Sequence, residues 1–365
     1  MISLLQNLLL ALLLGSFAAG TPIEKRQPKF IAHEFEDIKV PSVHQRSEVY
    51  DFDDRTSRYV IYLKMGSEQQ KVEAHIDTGS IRWVIPGPNS ICKTNNPCKP
   101  EYVFDSDKST SFKNSTVVAK PAFGADETHG YIVTDDIYLD NGDKVPQFQF
   151  DLLDLLKKDY RGILGSGYST HRDASFALAA KDAGLIDHSG YSIFKTSDKG
   201  GTYLLGAVDR AKYDGDLHIE DSTGKFSVDS ITLANGTVVA TGLKFTPDTG
   251  VPYLIMLDSV VDDILKEVGA DDKGNVPCDQ VLNGNKSLSF QIGSLEIPVY
   301  YKDFFVKKSG NSCGSAIHRS TDRDYQFVGL PFIRNAYIAH NFDTKKMAIA
   351  PVKHTDESDV VDFWF

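Results

Sequence analysis

The sequence predicts an all-β fold built from two related halves. Short runs in which apolar and polar residues alternate recur along the chain, and Gly, Asn, Asp and Ser separate them, as in strands joined by tight turns. Asn-Gly pairs predict hairpin turns, because both residue types tolerate positive φ. These pairs are residues 141–142, 235–236 and 283–284, and the strand-like runs include residues 59–63, 131–139, 226–233 and 288–292.

Few helices are expected. The sequence predicts helices at residues 174–183 and 260–268, and a glycine follows each helix. In the second, apolar residues recur at the i, i+3, i+4, i+7 spacing of a half-buried helix. Asp258 and Ser259 stand where the N-cap of this helix belongs, because their side chains accept hydrogen bonds from unpaired amides.

An internal repeat indicates the two halves. The tripeptide Asp-Thr-Gly occurs at residues 77–79 and again at 248–250. Each copy is followed, further along the chain, by two apolar residues and a glycine, at 163–165 and at 327–329. The same parts in the same order predict a duplicated lobe.

The N-terminus is expected to be removed. Residues 1–20 contain an apolar core and then small residues, which is typical of a secretory signal, although no Lys or Arg precedes the core and an uncleaved membrane anchor is the alternative. The dibasic Lys25-Arg26 and the polar stretch up to Arg46 predict a pro-segment. The predicted parts are a signal peptide at 1–20, a pro-segment at 21–46, an N-terminal lobe at 47–215 and a C-terminal lobe at 216–365.

The composition is that of a globular protein. The 365 residues carry 39 Lys and Arg against 50 Asp and Glu, a formal net charge of −11, and 41% of them are apolar. Nucleic-acid binding needs a cationic face that displaces counterions, so no nucleic-acid partner is expected. The 10 histidines are scattered and are expected at the surface. The sequence contains no H-E-x-x-H or Walker pattern.

The cysteines and sequons agree with secretion. Four cysteines without C-x-x-C spacing favour disulfides over a zinc site in an oxidising compartment. Three pairings are possible, and we prefer the two that each close a local loop within one half. The pairs are Cys92 with Cys98 and Cys278 with Cys313, and the sequons of a glycoprotein lie at Asn114, Asn235 and Asn285.

The two Asp-Thr-Gly copies make chemical sense if they face each other. Two carboxylates about 3 Å apart cannot both ionise, so Asp77 and Asp248 would share one proton. The ionised member would take a proton from a water that attacks a peptide carbonyl, and the protonated member would hydrogen-bond the oxyanion. Neither role is assigned to one aspartate, because the proton belongs to the pair. This chemistry needs no metal and no cofactor.

On these residues the chain resembles the pepsin-family aspartic proteases, and most closely their secreted fungal, candidapepsin-like branch. Residues 61–80 are similar to the entry strand and first active-site loop of the family, residues 206–217 to the passage between its lobes, and residues 248–266 to its second aspartate and helix. The resemblance implies a bilobal fold with a substrate cleft between the lobes and endopeptidase activity in acid. The cysteine positions also suit two local disulfides.

The resemblance further implies the partners and the site. We expect peptide or protein substrates, statine-type inhibitors, a zymogen, a monomer, and a secreted location, either free or associated with the cell wall. The C-terminal sequence VVDFWF lacks the spacer of a lipid-anchor signal, which favours the free form. The expected catalytic pair is Asp77 and Asp248, and the expected substrate-binding residues are Thr78, Gly79, Ser80, Phe123, Gly124, Thr249, Gly250 and Val251.

Several positions depart from the family pattern. The loop after Ser80 is one residue shorter than usual before Trp83, Pro247 replaces an aliphatic residue, and Val251 replaces a hydroxyl residue. Phe123 stands where the flap usually carries a tyrosine. An active enzyme and a catalytically weakened relative that binds peptides, secreted or at the cell surface, are therefore both hypotheses. The sequence around Asp258 resembles an apolar-Asp-Ser active-site triplet, but Val260 follows where a glycine is required. Asp258 is therefore rejected as catalytic.

Overall fold

The computed structural model describes residues 27–40, 56–91, 103–121, 128–156 and 162–365. The predicted signal peptide, the dibasic pair and Arg46 fall outside these ranges. The same is true of Cys92, Cys98, Phe123 and Gly124.

Within the described residues, strands dominate and helices are few, which confirms the all-β prediction. The strands of the N-terminal half are β1 Ile31–Val40, β2 Thr56–Met65, β3 Gln70–Asp77, β4 Trp83–Ile91, β5 Val118–Ala119, β6 Thr128–Tyr138, β7 Lys144–Leu156, β8 Gly162–Gly165, β9 Gly190–Ser197, β10 Gly200–Leu205 and β11 Ala207–Asp209. Those of the C-terminal half are β12 His218–Asp221, β13 Phe226–Thr232, β14 Val238–Pro247, β15 Leu254–Leu257, β16 Asn275–Pro277, β17 Ser287–Ile292, β18 Leu295–Tyr300, β19 Phe305–Ser309, β20 Ser312–Ser315, β21 Ile317–Ser320, β22 Phe327–Val328, β23 Ala336–Asn341, β24 Lys346–Pro351 and β25 Val360–Asp362.

The helices are short. They are α1 Phe176–Asp182, α2 Asp258–Glu267, α3 Cys278–Val281, α4 Tyr301–Phe304 and α5 Leu330–Ile333, with 3-10 turns at Ser106–Lys108, Arg172–Ala174 and Arg210–Lys212. Among the helices of the described ranges, none is long and apolar enough to cross a bilayer.

The two halves meet in one sheet. A 13-stranded sheet runs in the order β12-β24-β23-β9-β10-β1-β2-β3-β8-β4-β7-β6-β5, so strands of the C-terminal half continue the sheet of the N-terminal half. A second, seven-stranded sheet belongs to the C-terminal half alone, in the order β18-β17-β13-β14-β22-β15-β21. Alternating burial along β17 and β13 shows one face packed on a core and the other facing solvent.

The internal repeat corresponds to a repeated strand arrangement. In the first half, β8 lies between β3, to which it is parallel, and β4, to which it is antiparallel. In the second half, β22 lies between β14 and β15 in the same two orientations. Asp77 is the last residue of β3 and Asp248 directly follows β14, so both aspartates leave their sheets at matching points.

Strand β1 comes from the predicted pro-segment and lies inside the large sheet. It is antiparallel to β10 on one side and to β2 on the other. The Phe35 ring stacks on Tyr59 at 4.2 Å between centroids, and the Asp37 carboxylate accepts a 2.7 Å bond from Lys195 Nζ. Both charged side chains of that ion pair are only 6% exposed. Removal of residues 21–46 would therefore leave β2 and β10 without this shared neighbour, and the processing itself stays a prediction.

Local details correct three expectations. Asp258 and Ser259 lie within α2 rather than capping it, because the N-cap is Leu257, which gives no side-chain cap bond. Asp258 instead places its charge in the first helical turn, where the helix dipole favours it. The Asn283-Gly284 pair joins α3 to β17 and makes no hairpin, although Gly284 has a φ of +87°. Burial of His75 and His340 shows that the surface expectation was wrong for them.

A disulfide closes the C-terminal half locally. Cys278 at the start of α3 is bonded to Cys313 in β20, with Cα atoms 5.0 Å apart, which confirms that predicted pair. Both residues are buried beside Val281, in the core of the second half.

Candidate active site

The two Asp-Thr-Gly loops face each other across the boundary between the halves. The carboxyl groups of Asp77 and Asp248 lie next to each other, each beside the glycine of the opposite loop. Each residue is 8% exposed, so the pair is buried but open on one side. The structure therefore brings together the two aspartates that the repeat singled out.

Two threonines lock the loops together by crossed hydrogen bonds. Thr78 Oγ1 accepts from the Thr249 amide at 3.1 Å and donates to the Pro247 carbonyl at 2.8 Å. Thr249 Oγ1 accepts from the Thr78 amide at 3.0 Å and donates to the Ile76 carbonyl at 2.7 Å. Both threonines are buried, so all four bonds lie away from water, where unpaired polar groups are costly.

The glycines of the two tripeptides are required by close approach. A Cβ atom at Gly79 would overlap the Asp248 carboxyl group. A Cβ at Gly250 would lie 2.7 Å from Asp77 Oδ1. Any other residue at either position would therefore push the carboxyl groups apart, which explains why the motif needs glycine beside each aspartate.

The two carboxyl groups are supported unequally. Asp77 accepts from the Gly79 amide at 3.0 Å and from Ser80 Oγ at 2.7 Å, whereas Asp248 accepts only from backbone amides, those of Gly250 at 2.8 Å and of Val251. Val251 occupies the position that corresponds to Ser80, and its side chain has no donor. Burial, and after it the neighbouring Asp77 carboxylate, raises the pKa of Asp248 well above its usual range.

The shortened first loop closes without disrupting the site. The Gly167 amide donates to the Ser80 carbonyl at 2.7 Å, and the Gly165 amide donates to the Arg82 carbonyl at 3.2 Å. The Trp83 indole donates to the Gly165 carbonyl at 3.1 Å, and the ring is buried. The apolar-apolar-Gly segment of the repeat therefore serves to hold the active-site loop.

Pro247 is also accommodated. It is the last residue of β14, where it pairs with Val328 of the parallel strand β22. Its carbonyl accepts the Thr78 hydroxyl, which is a role that needs no N–H group. The proline therefore keeps the one hydrogen bond through which this position supports the pair.

A cavity opens beside the pair, between the two halves. Its volume is about 500 Å³, and it reaches Thr78 and Gly79. The first half contributes Tyr168 to its wall, and the second half contributes Lys225 and Lys244. Sequence reasoning missed these three residues, because nothing in the local sequence links them to residues so far away in the chain.

Other predicted residues fall elsewhere. Asp258 lies on α2, where its side chain is 46% exposed and 4.0 Å from Arg319, so it does not belong to the buried pair. Phe123 and Gly124 lie outside the described residues.

Comparison with known proteins agrees with this geometry. The family model of the eukaryotic aspartyl proteases matches residues 58–352. The chain is 29% identical to candidapepsin of Candida tropicalis over 393 aligned residues, which cover 97% of each chain. It is 24% identical to candidapepsin-3 of Candida albicans over 98% of each chain, and 29% identical to candidapepsin-2 of Candida parapsilosis over 91% of this chain and 88% of that one. These matches confirm the resemblance drawn from the motifs. The chain belongs to the eukaryotic aspartyl protease family.

Proposed function

We propose that this protein is a secreted aspartic endopeptidase that hydrolyses peptide bonds at acid pH, with water activated between Asp77 and Asp248. The observation that carries the proposal is the buried pair of adjacent carboxyl groups held by two crossed threonines. Such a pair retains one proton because two adjacent buried charges repel each other, and it thereby offers one base and one acid at the same place.

The unequal support suggests which carboxyl group carries the proton. Asp77 has a hydroxyl donor and an amide donor that stabilise its negative charge. The raised pKa of Asp248 keeps that group protonated in weakly acidic solution. In the free enzyme we therefore assign the charge to Asp77 and the proton to Asp248, within a pair that titrates as a unit.

The reaction follows from this assignment. Asp77 takes a proton from water as the water oxygen bonds to the substrate carbonyl carbon, and Asp248 gives its proton to the carbonyl oxygen. In the second half, Asp77 gives its new proton to the amide nitrogen while the C–N bond breaks, and one hydroxyl of the diol returns a proton to Asp248. The starting pair is restored, and no covalent intermediate forms.

The peptide is proposed to lie in the cleft between the halves. Contacts are assigned to Thr78, Gly79 and Ser80 on one side of the pair and to Gly250 and Val251 on the other, with Phe123 and Gly124 covering the peptide. Thr249, which was expected to bind substrate, is 0% exposed and instead supports the loop. The cavity beside Thr78 and Gly79 supports this placement, because both halves contribute to its wall.

Secretion is part of the proposal. The apolar leader at residues 1–20 supports it, and relatives of the chain bear the name secreted aspartic protease. A pro-segment at residues 21–46 is proposed on the same basis. N-terminal sequencing of the protein recovered from culture medium tests both: we expect a start after Arg46, and recovery only from cells would contradict secretion.

A second function is favoured by one observation. Because Val251 gives Asp248 no side-chain donor, a peptide-binding protein with very slow turnover is the competing hypothesis. It predicts binding of a statine-type inhibitor in the cleft with cleavage near background.

The deciding experiment measures binding and cleavage on one sample. Purified, processed protein is incubated with a denatured protein at pH values from about 3 to about 6, a range in which known carboxyl pairs lose their shared proton. We expect cleavage that a statine-type inhibitor blocks, and a fall in rate as the pH rises through the raised pKa of Asp248. A folded, processed sample that binds the inhibitor but cleaves nothing would favour the second hypothesis.

A further inference from the structure

An ion pair lies at the outer end of the loop that carries Asp77. Residues 78–82 connect β3 to β4, and Arg82 is the last of them. Its Nε and Nη2 atoms each donate a 2.7 Å hydrogen bond to one of the two carboxylate oxygens of Asp151 in β7. Such a two-pronged contact fixes the direction of the guanidinium plane as well as its distance.

The rest of this loop is held mainly by hydrogen bonds. Its inner end is tied to the pair by Ser80 Oγ, and its middle by the Gly167 amide on the Ser80 carbonyl. The Ile81 side chain at the tip is 41% exposed, so packing holds the tip weakly. Because Arg82 follows Ser80 by only two residues, a shift at Arg82 is transmitted to the hydroxyl that supports Asp77.

The partner carboxylate is fixed in the sheet. Asp151 is 3% exposed and lies opposite Val84 in the parallel pairing of β7 with β4. Burial raises its pKa, and the Arg82 guanidinium opposes that rise. A buried carboxylate that loses its partner is strongly unfavourable, so Asp151 holds Arg82 in place. Lysine in place of Arg82 would not hold Asp151 equally well, because an ammonium group lacks the planar pair of donors of a guanidinium.

The second loop is anchored at the corresponding position by different chemistry. Tyr253 follows Asp248 by five residues, as Arg82 follows Asp77. Its ring stacks on His318 at 3.7 Å with an interplanar angle of 1°. His318 lies in β21, which is parallel to β15, the strand that follows the second loop, as β7 is parallel to β4. Each loop is thus held at the fifth residue after its aspartate, by a side chain of a neighbouring strand.

We propose that Arg82 and Asp151 are positioning residues that hold the first active-site loop so that Ser80 supports Asp77, and that they control the rate of turnover without touching the substrate. This inference rests on the proposed peptidase function.

The test compares four variants with the wild type on one fluorogenic peptide. Asp151→Asn and Arg82→Gln each break the ion pair, and the double variant combines the two changes. Arg82→Lys keeps the positive charge but lacks the planar guanidinium group that bonds both carboxylate oxygens. We expect kcat to fall about tenfold in each single variant with KM within about twofold, since a misplaced catalytic group lowers the rate more than it lowers binding. The double variant should lose no more than a single one, and Arg82→Lys should recover part of the rate.

Controls separate positioning from folding and from the function itself. Arg210→Gln breaks an arginine–aspartate pair at the surface, in which Arg210 Nε donates to Asp359 at 2.9 Å, and should leave kcat and KM unchanged. Rates are divided by the concentration of sites titrated with a statine-type inhibitor. Single variants whose kcat stays within about twofold of the wild type, or whose loss disappears on that correction, would overturn the inference.

A structural readout covers the case in which the wild type is inactive, which would contradict the proposed function alone. In crystals of Asp151→Asn the 2.7 Å bond from Ser80 Oγ to Asp77 should lengthen or break. An unchanged bond would overturn the positioning role whatever the activity.

Discussion

The loop that carries Asp77 and the loop that carries Asp248 share their backbone support. Each aspartate leaves a strand that is parallel to a short strand ending in or just before a glycine. The Gly165 amide donates to the Arg82 carbonyl in the first half, and the Gly329 amide donates to the Tyr253 carbonyl in the second, at 3.1 Å. A Cβ at either glycine would collide with the backbone of its loop. The scaffold of the site is therefore close to two-fold symmetric.

The side chains around the two aspartates differ. Ser80 donates to Asp77, whereas its counterpart Val251 cannot donate to Asp248. The difference teaches that the fold fixes where the carboxyl groups lie, while a single side chain beside each one decides how well its charge is supported. Four predictions test this comparison, from the largest expected effect to the smallest.

The first prediction is that both aspartates are indispensable. Asp77→Asn and Asp248→Asn should each lower kcat by at least about 1,000-fold, because either change removes the acid or the base from a pair that acts as a unit. The measurement is kcat on a fluorogenic peptide at the optimal pH. Asp258→Asn is the control and should match the wild type; activity retained by one of the first two variants would mean that the pairing of loops is wrongly assigned.

The second prediction concerns the symmetric part of the site. Thr78→Val and Thr249→Val keep the side-chain shape but each leaves one buried amide and one buried carbonyl without its partner. Each should reduce the free energy of unfolding by about 3 kcal/mol, and the two reductions should be similar. Chemical denaturation measures both. A large difference between them would show that the crossed bonds are not energetically equivalent.

The third prediction compares two histidines with lowered pKa values, one from each half. Burial lowers the pKa of His340 on β23 from 6.5 to about 4, and that of His33 on β1 to about 4 as well. The unfolded chain binds these protons first as the pH falls, so the stability that each neutral histidine contributes is complete above pH 6.5 and is lost down to about pH 4.

For His340, which is 1% exposed, the loss between pH 6.5 and about 5 should be about 2 kcal/mol. His340→Gln should remove this share of the pH dependence, measured by denaturation at several pH values. If the pro-segment is cleaved off, His33→Gln should change the pH dependence of stability only in the unprocessed chain. An unchanged pH dependence in His340→Gln would show that this histidine already titrates normally in the folded state.

The fourth prediction addresses the unequal support directly. Ser80→Ala should lower kcat about tenfold, the cost of about 1.4 kcal/mol for one charge-assisted hydrogen bond. Val251→Thr should place a donor beside Asp248 and reduce its raised pKa, so that activity is lost at a pH about half a unit lower on the alkaline side. The pH profile of kcat measures this shift, and Val251→Ala, which adds no donor, is the control. A profile that does not move would mean that the hydroxyl does not reach Asp248.

Much of the site could be predicted from local sequence. The Asp-Thr-Gly motif specifies a turn, a carboxylate and a hydroxyl within three residues, and its second occurrence indicated the pair. The Cys278–Cys313 disulfide and the helix near residues 260–268 were also predicted from short-range patterns, with the helix beginning two residues earlier than expected. Each of these features depends on residues close together in the chain.

Other features depended on partners far apart in the chain. The loop after Ser80 was expected to be one residue shorter than the family pattern, but nothing local indicated that Arg82 in this loop binds Asp151, 69 residues away in sequence. His340 was expected at the surface because a single histidine gives no periodic signal, yet β23 lies inside the large sheet and buries it. Asn283-Gly284 has the composition of a hairpin turn, but a helix precedes it instead of a strand.

The sequence by itself determined the strand-rich class, the duplicated halves and the two aspartates, because alternation, turn residues and a repeated tripeptide are all local. Tertiary structure alone decided that the threonines cross between the loops, that a hydroxyl donates to Asp77, and that Arg82 is held by Asp151. The physical reason is that hydrogen bonds and burial depend on distances in space. The fold sets those distances by bringing together strands that are remote in the chain.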